Sequence, residues 1–452
     1  MARDVPTALG GWRQQYGDLV HLKIWPEHQI IVAAPALVRE LLVTHHDALV
    51  RWERGIRVFS QVHGHSVLTA EGAAWKSKRQ ALQPSFSPKG VRSLLPLITA
   101  AAADSFAQWP ATAAVAPVEQ AFTAMGMEVI LRILFSSAGA HDTAVLSQAV
   151  HTVAVAGQEA MMWPASWPDW MPWKRHQRRA RQVLQQLVAD QITARLALAP
   201  ADWPDDLLAR LLSLHRADPA LWPLQAVHDE CMTAFLAGHE TLAATLTWWA
   251  WCMASHPQAQ SQAQAEVDAV LQGRAPGADD LPALVLLQQT LQETLRLYPA
   301  TPLLLTRRAV RPISLGGWQF PSGTLFTVPT QAMHHDARWF DAPLEYKPQR
   351  FAHNAEPGSS AASAASASSA PSASPESAST TTTTPRGAFM PLGTGPRVCL
   401  GQHLATAEMT AIAAMFLQRY TVTPAPGIAS PEPAFHITMR PREPLRLLLM
   451  PR

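Results

Sequence analysis

One eleven-residue string carries the strongest chemical signal in the chain: Pro391-Leu392-Gly393-Thr394-Gly395-Pro396-Arg397-Val398-Cys399-Leu400-Gly401, directly ahead of a helical pattern. A lone cysteine between glycines at a helix start has a physical logic. Backbone N–H groups there point at the sulfur and hold it as thiolate. Gly395 and Gly401 let the backbone approach a flat partner closely. Arg397, two residues before the cysteine, can pair with an anionic group at that partner's edge. A thiolate held this way suits axial ligation of haem iron, where it pushes electron density toward O–O cleavage. The alternative for any single cysteine is an inert side chain buried in a glycine-rich turn, and the length of the string argues against it.

Five further constellations could do chemistry or support it. Ala237-Gly238-His239-Glu240-Thr241 lies inside a long apolar helical pattern. A hydroxyl beside an acid suits proton delivery. The glycine costs ~1 kcal/mol relative to alanine in mid-helix, a cost that close approach to a cofactor face explains, and helices often bulge at such sites. Glu293 and Arg296, three apart in Glu293-Thr294-Leu295-Arg296, face one side of a helix and can pair. Trp75 and Arg79, four apart, share a helix face in the same way. Thr306-Arg307-Arg308-Ala309 leads into Leu315–Thr324, and Pro348-Gln349-Arg350-Phe351 follows. Taken singly, each has a plain reading: a solvated helix pair, or a core helix with a stray glycine.

Together, and in this order, the motifs resemble those of the cytochrome P450 family, the haem-thiolate monooxygenases. The family's haem loop reads Phe-Gly-x-Gly-x-Arg-x-Cys-x-Gly, and every fixed position matches except the first, which is Leu392. In the family that aromatic packs near the sulfur, so its replacement bears on redox tuning rather than on ligation. The resemblance spans roughly Tyr16 to Met450. It implies haem b as cofactor, with Cys399 as the axial metal ligand. It implies propionate contacts from Trp75, Arg79, Arg397 and Arg307, with Arg308 as the alternative to Arg307. Ala237, Gly238, Gly393 and Gly401 would lie against the cofactor, and Thr241 and Glu240 would handle oxygen and protons. Glu293, Arg296 and Arg350 would form a buried structural cluster supporting the haem loop.

The implied reaction puts one atom of O2 into an apolar small-molecule substrate, by hydroxylation or epoxidation. Electrons are expected from a separate donor, a ferredoxin with its reductase or a flavodoxin-type protein, since no flavin or iron–sulfur domain follows Arg452. Two alternatives are an H2O2-driven peroxygenase, against which the Glu240–Thr241 pair counts, and a non-catalytic haem-binding protein, against which the full set of motifs counts.

The elements that must position these residues read as mainly α with a smaller β-rich region, in one domain over 1–452. Leu19–Trp25 and His28–Ala33 form a predicted hairpin, and Pro35–His45 a helix. The pattern is mostly helical from Trp75 to Leu295. A second predicted hairpin joins Leu315–Gln319 to Leu325–Val328 through Pro321-Ser322-Gly323. Ala405–Gln418 is a helix, and His436–Met450 alternates weakly as strands do. Ser359–Thr384 is built of Ser, Ala and Thr apart from Pro371, Pro375 and Glu376. With nothing large to bury it cannot offset its ordering entropy, and it reads as a disordered surface insertion.

Composition bounds the rest. Hydrophobic residues make up 48% of the 452 and charged residues 15%, against about 25% in an average soluble protein. The net charge of +2, from 36 basic and 34 acidic residues, gives no basis for nucleic acid as a partner. The three cysteines, Cys231, Cys252 and Cys399, imply no disulfide framework. No signal peptide opens the chain, and no apolar run is long enough to span a membrane; Leu242–Ala254 reads as a buried helix. A cytoplasmic, bacterial-type, monomeric protein is expected. Met161–Trp173 packs four Trp and three Met into thirteen residues. It reads either as a core turn or as a lid over a substrate entrance. The basic run Lys174, Arg175, Arg178, Arg179 and Arg181 would let such a lid make peripheral contact with an anionic membrane.

Overall fold

The computed structural model describes residues 5–24, 27–136, 142–162, 170–303, 305–355 and 385–452. The insertion at 359–384 and the tryptophans at 163 and 167 lie outside these residues, as does most of the 161–173 turn.

Eight helices position the site: α1 (Glu53–His63), α2 (Gly72–Leu82), α3 (Val118–Phe135), α4 (Thr143–Met162), α5 (Arg175–Leu196), α6 (Leu224–Ser255), α7 (Val285–Leu297) and α8 (Gln402–Arg419). The axis of the molecule is α6, whose 32 residues extend about 48 Å. Its second half is apolar all round, as befits a helix with neighbours on every side. Trp248 and Trp249 are fully buried, and each spends its indole N–H: Trp248 on the Met439 carbonyl at 3.0 Å, Trp249 on Thr290 Oγ1 at 2.9 Å. No helix among the described residues is long and apolar enough to cross a membrane.

The β-rich region comprises β1 (Leu19–Ile24), β2 (Glu27–Val32), β3 (Leu49–Arg51), β4 (Thr306–Ala309), β5 (Ile313–Leu315), β6 (Trp318–Phe320), β7 (Leu325–Thr327), β8 (Pro433–His436) and β9 (Thr438–Pro441). Five of these form one sheet in the order β1-β2-β7-β4-β3. Strands β1 and β2 are the expected first hairpin, paired antiparallel from Leu19↔Val32 to Ile24↔Glu27. A separate three-stranded sheet joins Ala114–Ala116, Leu447–Pro451 and Tyr420–Pro424.

Two sequence expectations change. The second hairpin turns at Gly316–Gly317, not at Pro321–Gly323: β5 pairs with β6, and β7 joins β2 and β4 instead. Both glycines take positive φ, 57° and 81°, which a two-residue hairpin turn of the primed kind requires and a Gly-Gly pair supplies without strain. The helix from Pro35 is α-helical only to Arg39 and continues as a π-helical turn over Glu40–Thr44.

Candidate active site

Cys399 sits at the end of a tightly wired loop. Its N–H donates to the Leu392 carbonyl at 3.0 Å, and its own carbonyl accepts from Gln402 N at 3.4 Å. Gly393 takes φ +81°. Gly395 takes φ +76°, and a Cβ there would stand 2.3 Å from the Leu42 carbonyl oxygen. Gly395 is therefore required by the neighbouring π-helical turn rather than by approach to a flat partner. Gly401 faces open space. Burial raises the Cys399 thiol pKa, offset in part by the Gly401 N–H bond to the sulfur and by the charge of Arg79. Yet Cys399 presents exposed surface although protein closes round it on every side. That combination places the sulfur on the wall of an internal cavity.

A second candidate position lies on α6. Ala237 is exposed in the middle of a helix whose flanking residues are mostly buried, and Thr241 follows one turn later on the same stripe. The helix runs through without a bulge. The Thr241 hydroxyl donates to the Ala237 carbonyl at 2.7 Å, which leaves its oxygen free to accept. Gly238 looks the other way: a Cβ there would meet Ile130 Cδ1 at 2.8 Å, so this glycine serves the packing of α3 on α6, and close approach to the cofactor does not account for it. Glu240 is buried and tied to β9, accepting from Thr438 Oγ1 at 3.1 Å with Arg440 Nε 3.5 Å away. The acid and the hydroxyl are thus adjacent in sequence but turned apart by the helix.

Four arginines converge near Cys399. Trp75 on α2 is buried, and the Arg397 guanidinium stacks 4.1 Å from its ring centroid. Arg79 lies one turn on from Trp75, close enough to Cys399 for each charge to act on the other. Arg51 ends β3 directly opposite Arg307 on β4, a cross-strand placement that is destabilising for like charges. Arg51 Nη1 and Arg397 Nη1 share one acceptor, the Ala70 carbonyl, at 3.4 and 3.3 Å. The carboxylate among them is Glu71, paired with Arg397 and 3.7 Å from Arg51. Burial, with the neighbouring guanidiniums adding, pulls the Arg51 pKa down to about 9 and that of Arg307 to about 10. Four guanidiniums against one carboxylate leave positive charge that only an anion can balance. The two propionates of a haem b bound at Cys399 would meet that requirement. Of the two candidates on β4, Arg307 belongs to this cluster. Arg308 turns outward, to Glu27 and Glu53 at 2.9 and 2.7 Å.

Arg51 and Glu71 escaped the sequence reading. The one available signal was a charged residue inside the apolar run Ala48-Leu49-Val50-Arg51-Trp52; its cross-strand partner lies 256 positions away and was invisible.

Behind the loop, Glu293 and Arg296 pair bidentately at 2.7 and 2.8 Å, both with no exposure. Arg350 adds a third bond to Glu293 at 3.2 Å, and Lys347 N a fourth at 2.9 Å. Arg296 also donates to the His334 carbonyl at 2.7 Å, and His334 Nε2 accepts from Met390 N at 3.0 Å. Burial lowers the His334 pKa to about 3, so the ring stays neutral and Nε2 remains an acceptor. The cluster thereby grips the backbone two residues before Leu392. His334 is a second residue that no sequence motif announced.

Known proteins resemble this chain over nearly its whole length. The chain is 29% identical over 476 residues to cytochrome P450 734A4 of Oryza sativa subsp. japonica, covering 98% of this chain and 83% of that protein. It is 29% identical over 425 residues to the cyclooctat-9-en-7-ol 5-monooxygenase of Streptomyces melanosporofaciens, covering 91% and 84%. A zebrafish cytochrome P450 solved with progesterone superposes with a TM-score of 0.79 at 24% identity, over 99% of this chain and 100% of that one, and so shares the fold. The family model for cytochrome P450 matches residues 8–449, and the chain belongs to that family: it is a haem b monooxygenase.

Proposed function

We propose that the chain inserts one atom of O2 into a C–H or C=C bond of an apolar small molecule and releases the other as water, using two electrons from a separate redox protein and two protons. The observation that carries this reading is the exposed Cys399 beside Arg79, in a cluster where Arg51, Arg79, Arg307 and Arg397 gather round the single carboxylate of Glu71. Haem b, when bound, supplies the oxygen-activating chemistry. The protein's part is to present the Cys399 sulfur to the metal, hold the propionates on the arginines and keep the cavity dry. Thr241 Oγ1 is placed to accept a hydrogen bond inside the cavity, while Glu240 becomes a proton source only by exchanging its bond to Thr438. The Streptomyces relative, named for an organic alcohol it oxidises, supports a small organic substrate. Exposed Trp170 and Trp173 ahead of α5 support a lid with peripheral membrane contact. Ser359–Thr384 reads as an insertion into an otherwise single domain, on its composition.

The test is turnover of a substrate panel with NADPH, ferredoxin reductase and ferredoxin, run against H2O2 alone. Product only with the electron-transfer chain and O2 is expected; product only with peroxide makes the protein a peroxygenase, and none with either makes it a haem carrier. Cys399→Ser should abolish the CO-bound band that names the family. Cys231 and Cys252 offer no substitute, since both are sealed in the core with thiol pKa values pushed far up by burial. Thr241→Ala should retain substrate binding and divert electrons to peroxide.

A further inference from the structure

The stripe of α6 that carries Thr241 and Ala237 continues one turn back to Thr233. Facing it, at the last residue of α1, is His63. Its Nδ1 lies 3.3 Å from Thr233 Oγ1, with both side chains about nine-tenths buried. Phe59 holds the ring edge-on at 5.6 Å. The next residue, Gly64, is locked over α6: its φ is +56°, and a Cβ would strike the Asp229 carboxyl at 2.2 Å. Asp229 also accepts from His65 N at 2.6 Å, and Glu230 from Val67 N at 2.9 Å. The imidazole is thus fixed by the elements on both sides of it.

This pair has unspent hydrogen-bonding capacity. If Thr233 donates to Nδ1, the Nε2–H is a free donor; if Nδ1–H donates to Thr233, the hydroxyl proton and the Nε2 lone pair are free. Nε2 finds no hydrogen-bond partner among the described residues, and it is not sealed off either. A buried polar atom that finds no protein partner is open to a hydrogen bond from a ligand. Burial lowers the His63 pKa to about 4, so the ring is neutral at working pH and offers no cation to a carboxylate.

We propose that His63 and Thr233 are a polar anchor for substrate, and that the substrate is an apolar skeleton bearing a neutral oxygen function, a hydroxyl or carbonyl, at the end remote from the oxidised carbon. This rests on the monooxygenase reading above and narrows its substrate class. Thr233 and Thr241 are eight residues apart, about 12 Å along the helix axis. The anchored oxygen and the reacting carbon are therefore separated by a fused-ring or long-chain skeleton, and small bicyclic molecules are too short to use both ends of the site.

The experiment reads binding rather than turnover. Haem-loaded protein is titrated by its Soret shift with two matched pairs, 5α-androstane against 5α-androstan-17β-ol and dodecane against dodecan-1-ol. Wild type is expected to bind the alcohol of at least one pair about tenfold more tightly than the hydrocarbon, near the value of one buried hydrogen bond. His63→Phe and Thr233→Val, which keep size and packing, should remove that preference while leaving hydrocarbon binding unchanged. Thr233→Ser should restore it. Wild type with no preference in either pair, or with no binding of either, overturns the proposal, as does a preference that survives both variants. A chain that binds the alcohol through His63 and never oxidises it keeps the anchor and loses the monooxygenase reading. Oxidation without the preference does the reverse.

Discussion

Glu293→Gln tests whether the buried ion cluster is what holds the cysteine loop in place. Glu293 is fully buried and accepts four bonds: two from Arg296, one from Arg350 and one from Lys347 N. Glutamine keeps the size but removes the charge and turns an NH2 group toward donors. Arg296, with no exposure, then carries an uncompensated positive charge. Breaking a buried pair in this way costs about 3–5 kcal/mol, a fifth or more of the 5–15 kcal/mol typical of a folded protein. With an unfolding entropy of about 2.1 cal/mol/K per residue over 452 residues, each kcal/mol shifts the melting temperature by about 1 °C, so it should fall by about 3–5 °C. The loss should also reach the cofactor. Arg296 holds the His334 carbonyl, and His334 Nε2 holds Met390 N, at the root of the Cys399 loop. Circular-dichroism melting and haem content after gel filtration measure the two effects. A variant that melts within about 2 °C of wild type and keeps full haem content refutes the argument, because the cluster would then be neither a stability element nor a support for the loop.

Three other outcomes follow from particular residues. Arg51→Gln should speed haem loss to apomyoglobin about tenfold, ~1.4 kcal/mol, because it removes one of the four guanidiniums beside the cavity; an unchanged transfer rate would exclude Arg51 from the propionate site. Glu408, buried on α8, has its pKa pushed up to about 8 by burial. The unfolded chain releases this proton from about pH 4.3 upward while the folded chain keeps it, so stability falls as pH rises from there to about 8 and is level above. Glu408→Gln should remove that slope, seen as a melting temperature raised at pH 8 and little changed at pH 4; a parallel pH profile would contradict it. Trp170 and Trp173 are 71% and 55% exposed, which sets aside the core reading for these two. Trp170→Ala should cost under about 0.5 kcal/mol of stability yet weaken sedimentation with anionic phosphatidylglycerol vesicles, and equal sedimentation of variant and wild type would dismiss the membrane contact.

The cysteine loop, the Ala237–Thr241 pentapeptide and the Glu-x-x-Arg pair were legible in the sequence because each is local. Their residues lie within a few positions of one another, and helix or turn geometry converts such spacing directly into juxtaposition. The mainly α class was legible for the same reason, since 3.6-residue periodicity is a local property. Two glycines were located correctly but explained wrongly, because the sequence shows that a side chain is missing and not what occupies its space: the Leu42 carbonyl at Gly395 and Ile130 at Gly238. The Gly316–Gly317 turn was overlooked in favour of a Pro-Ser-Gly turn five residues on, because short strands of three residues carry too little alternation to fix their own register. Only the tertiary structure decided the long-range matters. It placed Arg51 against Arg307 across a strand pair, tied Glu240 to Thr438, and brought His63 to Thr233 over 170 positions. Each of these depends on how whole elements pack, and the energy that selects the packing is spread over the buried core rather than written in any one segment.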